Sequence, residues 1–157
     1  MRIVIDTNIF KKACDDKEHT LECDAFIMRL YDKDEHDIIL DFEDHIRKEY
    51  MDNLSTNERF IKIYSALEQQ GRINFVSGKL DNKHKHKLIS LGFHEVEDHA
   101  FTGAAMNSDK CIVTEDSDYG KGSNKKANSP EKQVVLKYMT DEMGMCVYDS
   151  IQARKAF

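Results

Sequence analysis

The chain has 157 residues, which is enough for one domain with a hydrophobic core of its own. Hydrophobic residues make up 40% and charged residues 33% of the chain, so the composition favours a helix-rich globular protein over a disordered one. The formal net charge of −6 argues against broad electrostatic binding to nucleic acid, which needs many Lys and Arg side chains facing phosphates. A polyanionic substrate would therefore need a local basic patch or a metal ion.

Signals for membranes, secretion and structural zinc are not found in the sequence. No apolar run approaches the roughly 20 residues of a membrane helix, and the first residues form an apolar segment without a charged leader. We therefore expect a cytoplasmic chain with no membrane partner. The cysteines show no CxxC or similar spacing, so we expect buried reduced thiols at Cys14, Cys23, Cys111 and Cys146.

Strand and helix patterns alternate along the chain. In chain order, the first half predicts a strand at 3–5, two helices between 9 and 31, a strand at 37–42, a helix at 43–54 and a helix from about 60 to Gly71. In the second half, the pattern predicts a strand at 72–76, a polar basic segment at 79–87, a helix at 95–107 and a strand at 111–113. A polar loop at 121–128 follows, and then a helix from Ser129 to Gly144, a strand at 145–148 and a short helix or tail at 150–157. This alternation predicts an α/β fold of three αβα layers, with about five parallel strands in one domain, 1–157.

Carboxylates follow two of the predicted strands directly. Asp6 ends the first strand, and Asp116 and Asp118 come just after the fourth. Because ligands bind outside the carboxyl ends of strands in an open parallel sheet, we expect these side chains to meet in one crevice. Glu49 and Asp98 border the apolar faces of two predicted helices, and we expect them to join the same acidic cluster.

A cluster of this kind has a metal chemistry. Carboxylates gathered together repel, and a divalent cation removes the conflict. Oxygen ligands without clustered Cys or His select Mg²⁺ or Mn²⁺. Such a site suits phosphodiester hydrolysis, in which one ion activates a water and a second, about 3.5–4 Å away, stabilises the leaving oxygen. Asn8 and Thr114 are short polar neighbours that we expect to orient the ligands or the metal-bound waters by hydrogen bonds, without binding the metal themselves.

Four stretches resemble the PIN domain, a family of metal-dependent ribonucleases. They are Ile-Val-Ile-Asp-Thr-Asn at the start, Arg-Lys-Glu-Tyr around Glu49, Glu-Asp-His-Ala around Asp98 and Val-Thr-Glu-Asp-Ser-Asp-Tyr around Asp116. They occur in the family's order and span nearly the whole chain.

The resemblance implies a role for each matching position. Asp6, Glu49, Asp98 and Asp116 match the family's catalytic and metal-binding quartet, Asp118 matches a further acidic position, and Asn8 and Thr114 match polar positions common beside them. It also implies a five-stranded parallel sheet, endoribonuclease activity with Mg²⁺ or Mn²⁺, and frequent dimerisation. The expected substrate is single-stranded RNA, and many members of the family are toxins paired with an antitoxin.

Other interpretations remain open. A shift in the register of one helix would replace Glu49 by Glu43, Asp44 or Asp52, while Glu97 competes with Asp98. A structure-specific DNA nuclease would use a similar acidic centre. Outside enzymes, the alternative is a catalytically degenerate domain that binds RNA or a protein.

RNA-binding residues are not assigned by the sequence. The basic run at 83–87 and the lysines between 121 and 126 form either an RNA-facing rim or solvated loops. Phe93, Phe101 and Tyr119 either stack on bases or pack in the core.

Overall fold

The structure of the chain is a computed structural model that describes the backbone of residues 1–157 and every side chain except that of Val96. In this range the chain forms five strands: β1 (Arg2–Ile5), β2 (Asp37–Asp41), β3 (Ile73–Val76), β4 (Cys111–Val113) and β5 (Cys146–Tyr148). They make one parallel sheet in the order β3-β2-β1-β4-β5.

Helices connect the strands. Over the same residues they are α1 (Thr7–Cys14), α2 (Leu21–Asp32), α3 (His45–Leu54), α4 (Glu58–Gln69), α5 (Asn82–Ser90), α6 (Val96–Met106), α7 (Pro130–Lys137) and α8 (Ser150–Ala156). A π-helical turn, Tyr138–Glu142, continues α7, and 3-10 turns occur at Ser117–Tyr119 and Lys125–Asn128. The predicted α/β fold is confirmed, with a five-stranded parallel sheet flanked by helices in three αβα layers.

The order of the strands explains the layers. The chain moves from β1 to β2 and β3 in one direction across the sheet, then returns to β4 and continues to β5 in the other. Because crossovers between parallel strands are right-handed, helices in the two parts of the chain cover opposite faces. The central strands are thus covered on both sides, and Ile3, Ile5, Ile112 and Val113 are fully buried. This double burial accounts for their continuous apolar sequences.

One helix was not predicted. The basic segment at 79–87 lies largely in α5, which begins where the Asp81 carboxylate accepts the backbone N–H of Lys83 at 2.8 Å. Leu88 is the buried residue of this helix. With a single buried side chain, α5 has no apolar repeat for sequence reasoning to find, although lysine favours helices.

Two further properties concern the environment of the chain. Cys14, Cys23 and Cys111 are buried free thiols, as predicted, whereas Cys146 is exposed because β5 lies at an edge of the sheet. In the part of the chain that the structure describes, no helix has the length and apolar character needed to cross a membrane.

Candidate active site

An acidic cavity opens at the carboxyl ends of β1 and β4. The connections from these neighbouring strands leave in opposite directions, which in open α/β sheets creates the crevice where ligands bind. The cavity has a volume of about 270 Å³. Its walls include all five predicted carboxylates, Asp6, Glu49, Asp98, Asp116 and Asp118, and also Thr7, Asn8, Lys11, Asn53, Glu95 and Glu97.

Separate elements deliver these carboxylates. Asp6 links β1 to α1 and caps that helix, while Glu49 lies on α3. Asp98 is in the first turn of α6, and Asp116 caps the 3-10 turn that follows β4. Residues far apart in sequence therefore share one cavity, although their roles as metal ligands stay a prediction.

Asp6 is held by two polar neighbours. The Asn8 side-chain amide donates to Asp6 Oδ2 at 2.8 Å, and the Thr114 hydroxyl donates to the same oxygen at 2.5 Å. Asn8 Oδ1 in turn accepts the backbone N–H of Glu115 at 3.0 Å, which ties the first turn of α1 to the chain after β4. Asn8 and Thr114 thus occupy the positions that orienting residues would need.

The two carboxylates after β4 have different partners. Asp116 Oδ1 accepts the backbone N–H of Asp118 at 2.7 Å, and the backbone N–H of Asp116 donates to the Thr114 hydroxyl at 2.9 Å. The Asp118 carboxylate instead lies 2.5 Å from the ammonium group of Lys132 on α7. Asp116, and not Asp118, is therefore the residue that caps this turn.

Ionisation of the acidic side chains in the cavity is unfavourable in free energy. Burial raises the pKa of Asp6 to about 7, although the hydrogen bond from Thr114 lowers the pKa in part; the charge of Asp116 makes a smaller upward contribution. Burial and the neighbouring carboxylates, Asp6 first, raise the pKa of Asp98 to about 8. The pKa of Glu49 is also raised, chiefly by burial. Near neutral pH these groups must hold protons or share a compensating cation.

The register of α3 selects Glu49 among the acids near that helix. Asp44 pairs with Arg47, and Asp52 pairs with Lys48, both on the exposed surface. The Glu43 carboxylate accepts the backbone N–H of Gly78 outside the acidic cavity.

On α6, the structure leaves both candidate acids for the predicted ligand position beside the cavity. Asp98 and Glu97 both line the cavity, but Asp98 is half-buried whereas Glu97 is exposed.

Two cations near the cavity were missed by sequence reasoning. Lys11 lines the cavity and lowers the pKa of Glu49 by its charge, although burial outweighs this effect. It lies three residues after Asn8 on α1, and this helical spacing was the available signal. Lys132 gave no such signal, because its contact with Asp118 depends on how α7 packs against the turn.

The aromatic residues considered for base stacking lie in the core. Phe93, Phe101 and Tyr119 are all buried. The Tyr119 hydroxyl donates to the backbone carbonyl of Asp98 at 3.0 Å, so this residue supports the first turn of α6 from below the cavity.

The donor set of the cavity is compatible with a hard divalent cation. Among the described side chains, no three His, Cys, Asp or Glu residues converge as a ready-made group of direct metal ligands. Mg²⁺ does not require one, since it usually keeps several waters and binds through one or two carboxylates. The oxygen ligands and the raised pKa values of Asp6 and Asp98 therefore suit a hydrated Mg²⁺ or Mn²⁺.

Comparison with known proteins adds little to this geometry. No family model matches the chain, and no curated protein matches it. The chain is similar to a solved structure described as "Crystal structure of VapBC2 from Rickettsia felis bound to a DNA fragment from their promoter", at 13% identity and a TM-score of 0.47. The similarity covers 95% of this chain and 98% of that chain. A likeness this weak assigns no activity.

Proposed function

We propose that the chain is a PIN-like endoribonuclease that hydrolyses single-stranded RNA with Mg²⁺ or Mn²⁺. The observation that carries the proposal is the meeting of Asp6, Glu49, Asp98 and Asp116 in one cavity at the switch point of a parallel sheet. The PIN resemblance of the four sequence stretches gives these positions their proposed roles.

The carboxylates would hold the ion, and their neighbours prepare them for it. Asn8 and Thr114 both donate to Asp6 Oδ2, which fixes the orientation of the carboxylate and leaves Oδ1 with only a long contact, 3.4 Å, from the Asn8 backbone N–H. Lys11 supplies a cation on the cavity wall for a phosphate oxygen of the substrate. The Asp118 carboxylate, paired with Lys132, completes the wall beside Asp116.

The bound ion adds what the side chains cannot. It would supply a water of lowered pKa and offset the negative charge that develops on the phosphoryl group. Asp6, Glu49, Asp98 and Asp116 are the residues proposed to hold it.

Cleavage of a defined, end-labelled RNA tests this function. We expect cleavage with Mg²⁺ or Mn²⁺, no cleavage with EDTA, and a loss of at least about 100-fold in the variants Asp6→Asn and Asp116→Asn. Asp52→Asn is the matched control, because Asp52 is an exposed acid on the surface of α3 paired with Lys48. Cleavage by either site variant at the wild-type rate would show that the residue is wrongly assigned.

The nucleic-acid class is tested in the same assay. The same sequence as single-stranded DNA, and a flap DNA, should be cleaved much more slowly than the RNA. Preferential cleavage of the flap would favour a structure-specific DNA nuclease instead.

The PIN resemblance also suggests a partner. We propose that the chain is a toxin held inactive by an antitoxin. The expected result is growth arrest when the wild-type chain is produced alone and no arrest with Asp116→Asn. The proposal also requires that a small reading frame adjoins this one and that its product restores growth. Normal growth with wild-type protein present at the same level would contradict a toxin role.

A further inference from the structure

A second cavity, of about 310 Å³, lies beside the acidic one. The two cavities share two helices. His45 lines the second cavity and Glu49 the first, one turn apart on the same side of α3, or about 6 Å along the helix axis. On α6, His99 lines the second cavity directly after Asp98 of the first. The second cavity is therefore lined by residues of the same two helices that contribute Glu49 and Asp98 to the acidic cavity.

Two lysines make the second cavity attractive to anions. Lys79 and Lys85 line it, and both are exposed. Among the described side chains, neither ammonium group makes an ion pair with an acid. The cavity's carboxylate, Glu43, is already engaged by the Gly78 backbone N–H at 2.8 Å and the Ser77 hydroxyl at 3.3 Å. The lysine charges are thus free to meet a phosphate.

A buried histidine in the same wall lacks a partner. His99 is 6% exposed, and its Nε2 lies 3.0 Å from the carbonyl oxygen of Phe93. A carbonyl only accepts, so Nε2 carries the proton and Nδ1 is left as an acceptor. Within the described part of the chain, Nδ1 has no hydrogen-bond partner. A buried polar atom left in this way is costly. Because Nδ1 is closed off from solvent, the ring must turn toward the cavity before a donor group of a ligand can satisfy it.

The other histidine of the cavity is held in place. Asp41 is buried, and its carboxylate lies 2.8 Å from His45 Nδ1 while accepting the backbone N–H of Ile46 at 2.8 Å. The His45 side chain is 57% exposed, so its ring extends from this anchor to the cavity rim. The anchor orients the second ring nitrogen, Nε2, away from Asp41.

We propose that this second cavity binds the nucleotide next to the scissile phosphate of a single-stranded RNA, an inference that rests on the proposed nuclease function. Lys79 and Lys85 contact the phosphate of that nucleotide, and the His99 ring turns toward the cavity so that Nδ1 accepts a hydrogen bond from the ribose 2′-hydroxyl or from a base N–H. The cavity volume is close to the lower limit of about 300 Å³ for small-molecule sites, as expected for one nucleotide.

Binding in EDTA tests the lysines separately from cleavage. Fluorescence anisotropy of a labelled single-stranded RNA should give a Kd about tenfold higher for the double variant Lys79→Ala/Lys85→Ala than for the wild type. The slope of log K against log salt concentration should also fall by about 0.7, because both lysines contact the same phosphate. The double variant Lys17→Ala/Lys155→Ala, which removes two exposed charges from other surfaces, should bind like the wild type.

The outcomes separate the two proposals. If the wild type cleaves RNA but the Lys79/Lys85 variant binds it with unchanged affinity and salt slope, the nucleotide site is wrong and the nuclease stands. If the wild type does not cleave, yet RNA binding weakens in this variant alone, the nuclease fails and the binding site stands. Wild-type protein that binds no RNA would overturn the site.

His99→Gln tests the hydrogen bond, with thermal unfolding as the check that the variant is folded. Loss of affinity for RNA but not for the all-deoxy strand identifies the 2′-hydroxyl as the donor, and an equal loss for both strands identifies the base. A folded variant that binds both strands as the wild type does would overturn the role of His99. If Gln disrupts folding, 2′-deoxy substitution at single positions of the RNA provides the test, and affinity unchanged at every position excludes the 2′-hydroxyl.

Discussion

Asp98 shows at the scale of one residue why ionised carboxylates in the acidic cavity are costly. Its carboxyl group is half-buried on α6, and its pKa rises to about 8 because burial and the charges of Asp6 and Asp116 disfavour the ionised form. The folded protein is therefore less stable at neutral pH than it would be without this penalty. A bound divalent ion would reduce the penalty, and so would replacement of the carboxylate by a neutral side chain.

We expect Asp98→Asn to stabilise the protein at alkaline pH in EDTA. The pKa of Asp98 in the folded chain, about 8, exceeds its ordinary value of 3.8, so between these pH values the folded chain binds more protons than the unfolded chain. Stability should fall as the pH rises from about 4 to about 8, and asparagine should reduce this fall. At about pH 8.5 the free energy of unfolding, from urea titration, should exceed that of the wild type by at least about 2 kcal/mol, since each unit by which the pKa is raised corresponds to about 1.4 kcal/mol.

Asp52→Asn provides the comparison for this prediction. Asp52 is an exposed carboxylate, and its loss should change the free energy of unfolding by no more than about 0.5 kcal/mol, both at about pH 4 and at about pH 8.5. An Asp98→Asn variant that keeps the pH dependence of the wild type, or is less stable in EDTA at alkaline pH, would count against repulsion in the cavity.

The sequence predicted individual carboxylates better than their partners. Asp6 and Asp116 could be proposed because each follows a strand, and strand ends meet at one edge of a parallel sheet. The contact between Asp118 and Lys132 could not, since it depends on the packing of α7. The exposure of Cys146 likewise followed from the position of β5 in the sheet, which local sequence does not encode.

At the scale of elements, α3 and α6 bring side chains to the cavity from both sides of the central strands. The Tyr50 hydroxyl of α3 donates to the backbone carbonyl of Ile5, the residue before Asp6. Helix α6 contacts β1, β2 and β4, and its Gly103 lies against the loop after β3. These contacts hold Glu49 and Asp98 near Asp6.

We expect Gly103→Ala to destabilise the protein and weaken divalent cation binding. A Cβ at this position would lie 2.0 Å from the carbonyl oxygen of Gly78, so α6 must move away from the loop. Thermal unfolding should show a loss of about 1–3 kcal/mol, although alanine is the better helix former by about 1 kcal/mol. A variant more stable than the wild type would show that the contact between α6 and the loop accommodates an added methyl group.

Helices could be predicted where the apolar pattern was strong, but not where it was weak. Helix α4 carries four buried side chains at three and four spacing, namely Phe60, Ile63, Tyr64 and Leu67, and was predicted. Helix α5 buries only Leu88 and was taken for a polar segment. This helix contributes to the proposed nucleotide site, because it places Lys85 and Asn82 at the second cavity.

At the scale of the whole molecule, the strand order decides where the chemistry lies. The alternation of strands and helices predicted a parallel sheet, but the order β3-β2-β1-β4-β5 came only from the structure. That order puts β1 beside β4, and so brings the ends of two acid-bearing strands together at the switch point. Residues more than 100 positions apart, Asp6 and Thr114, are joined there by a hydrogen bond.

The proposed cation site would couple folding to divalent cations. An ion that binds only the folded chain should stabilise it by about 2.7 kcal/mol at 100 times its Kd. We therefore expect Mn²⁺ to raise the melting temperature of the wild type measurably. The increase should be small in Asp6→Asn, and an equal increase in both proteins would place the ion elsewhere.

Calorimetric titration with Mn²⁺ tests most directly whether the acidic side chains share a divalent cation. The wild type and the control Asp52→Asn should bind Mn²⁺ saturably with the same affinity, whereas Asp6→Asn and Asp116→Asn should bind it at least about tenfold more weakly. Absence of saturable binding to the wild type, or equal affinity in all four proteins, would contradict a shared cation site in this cavity.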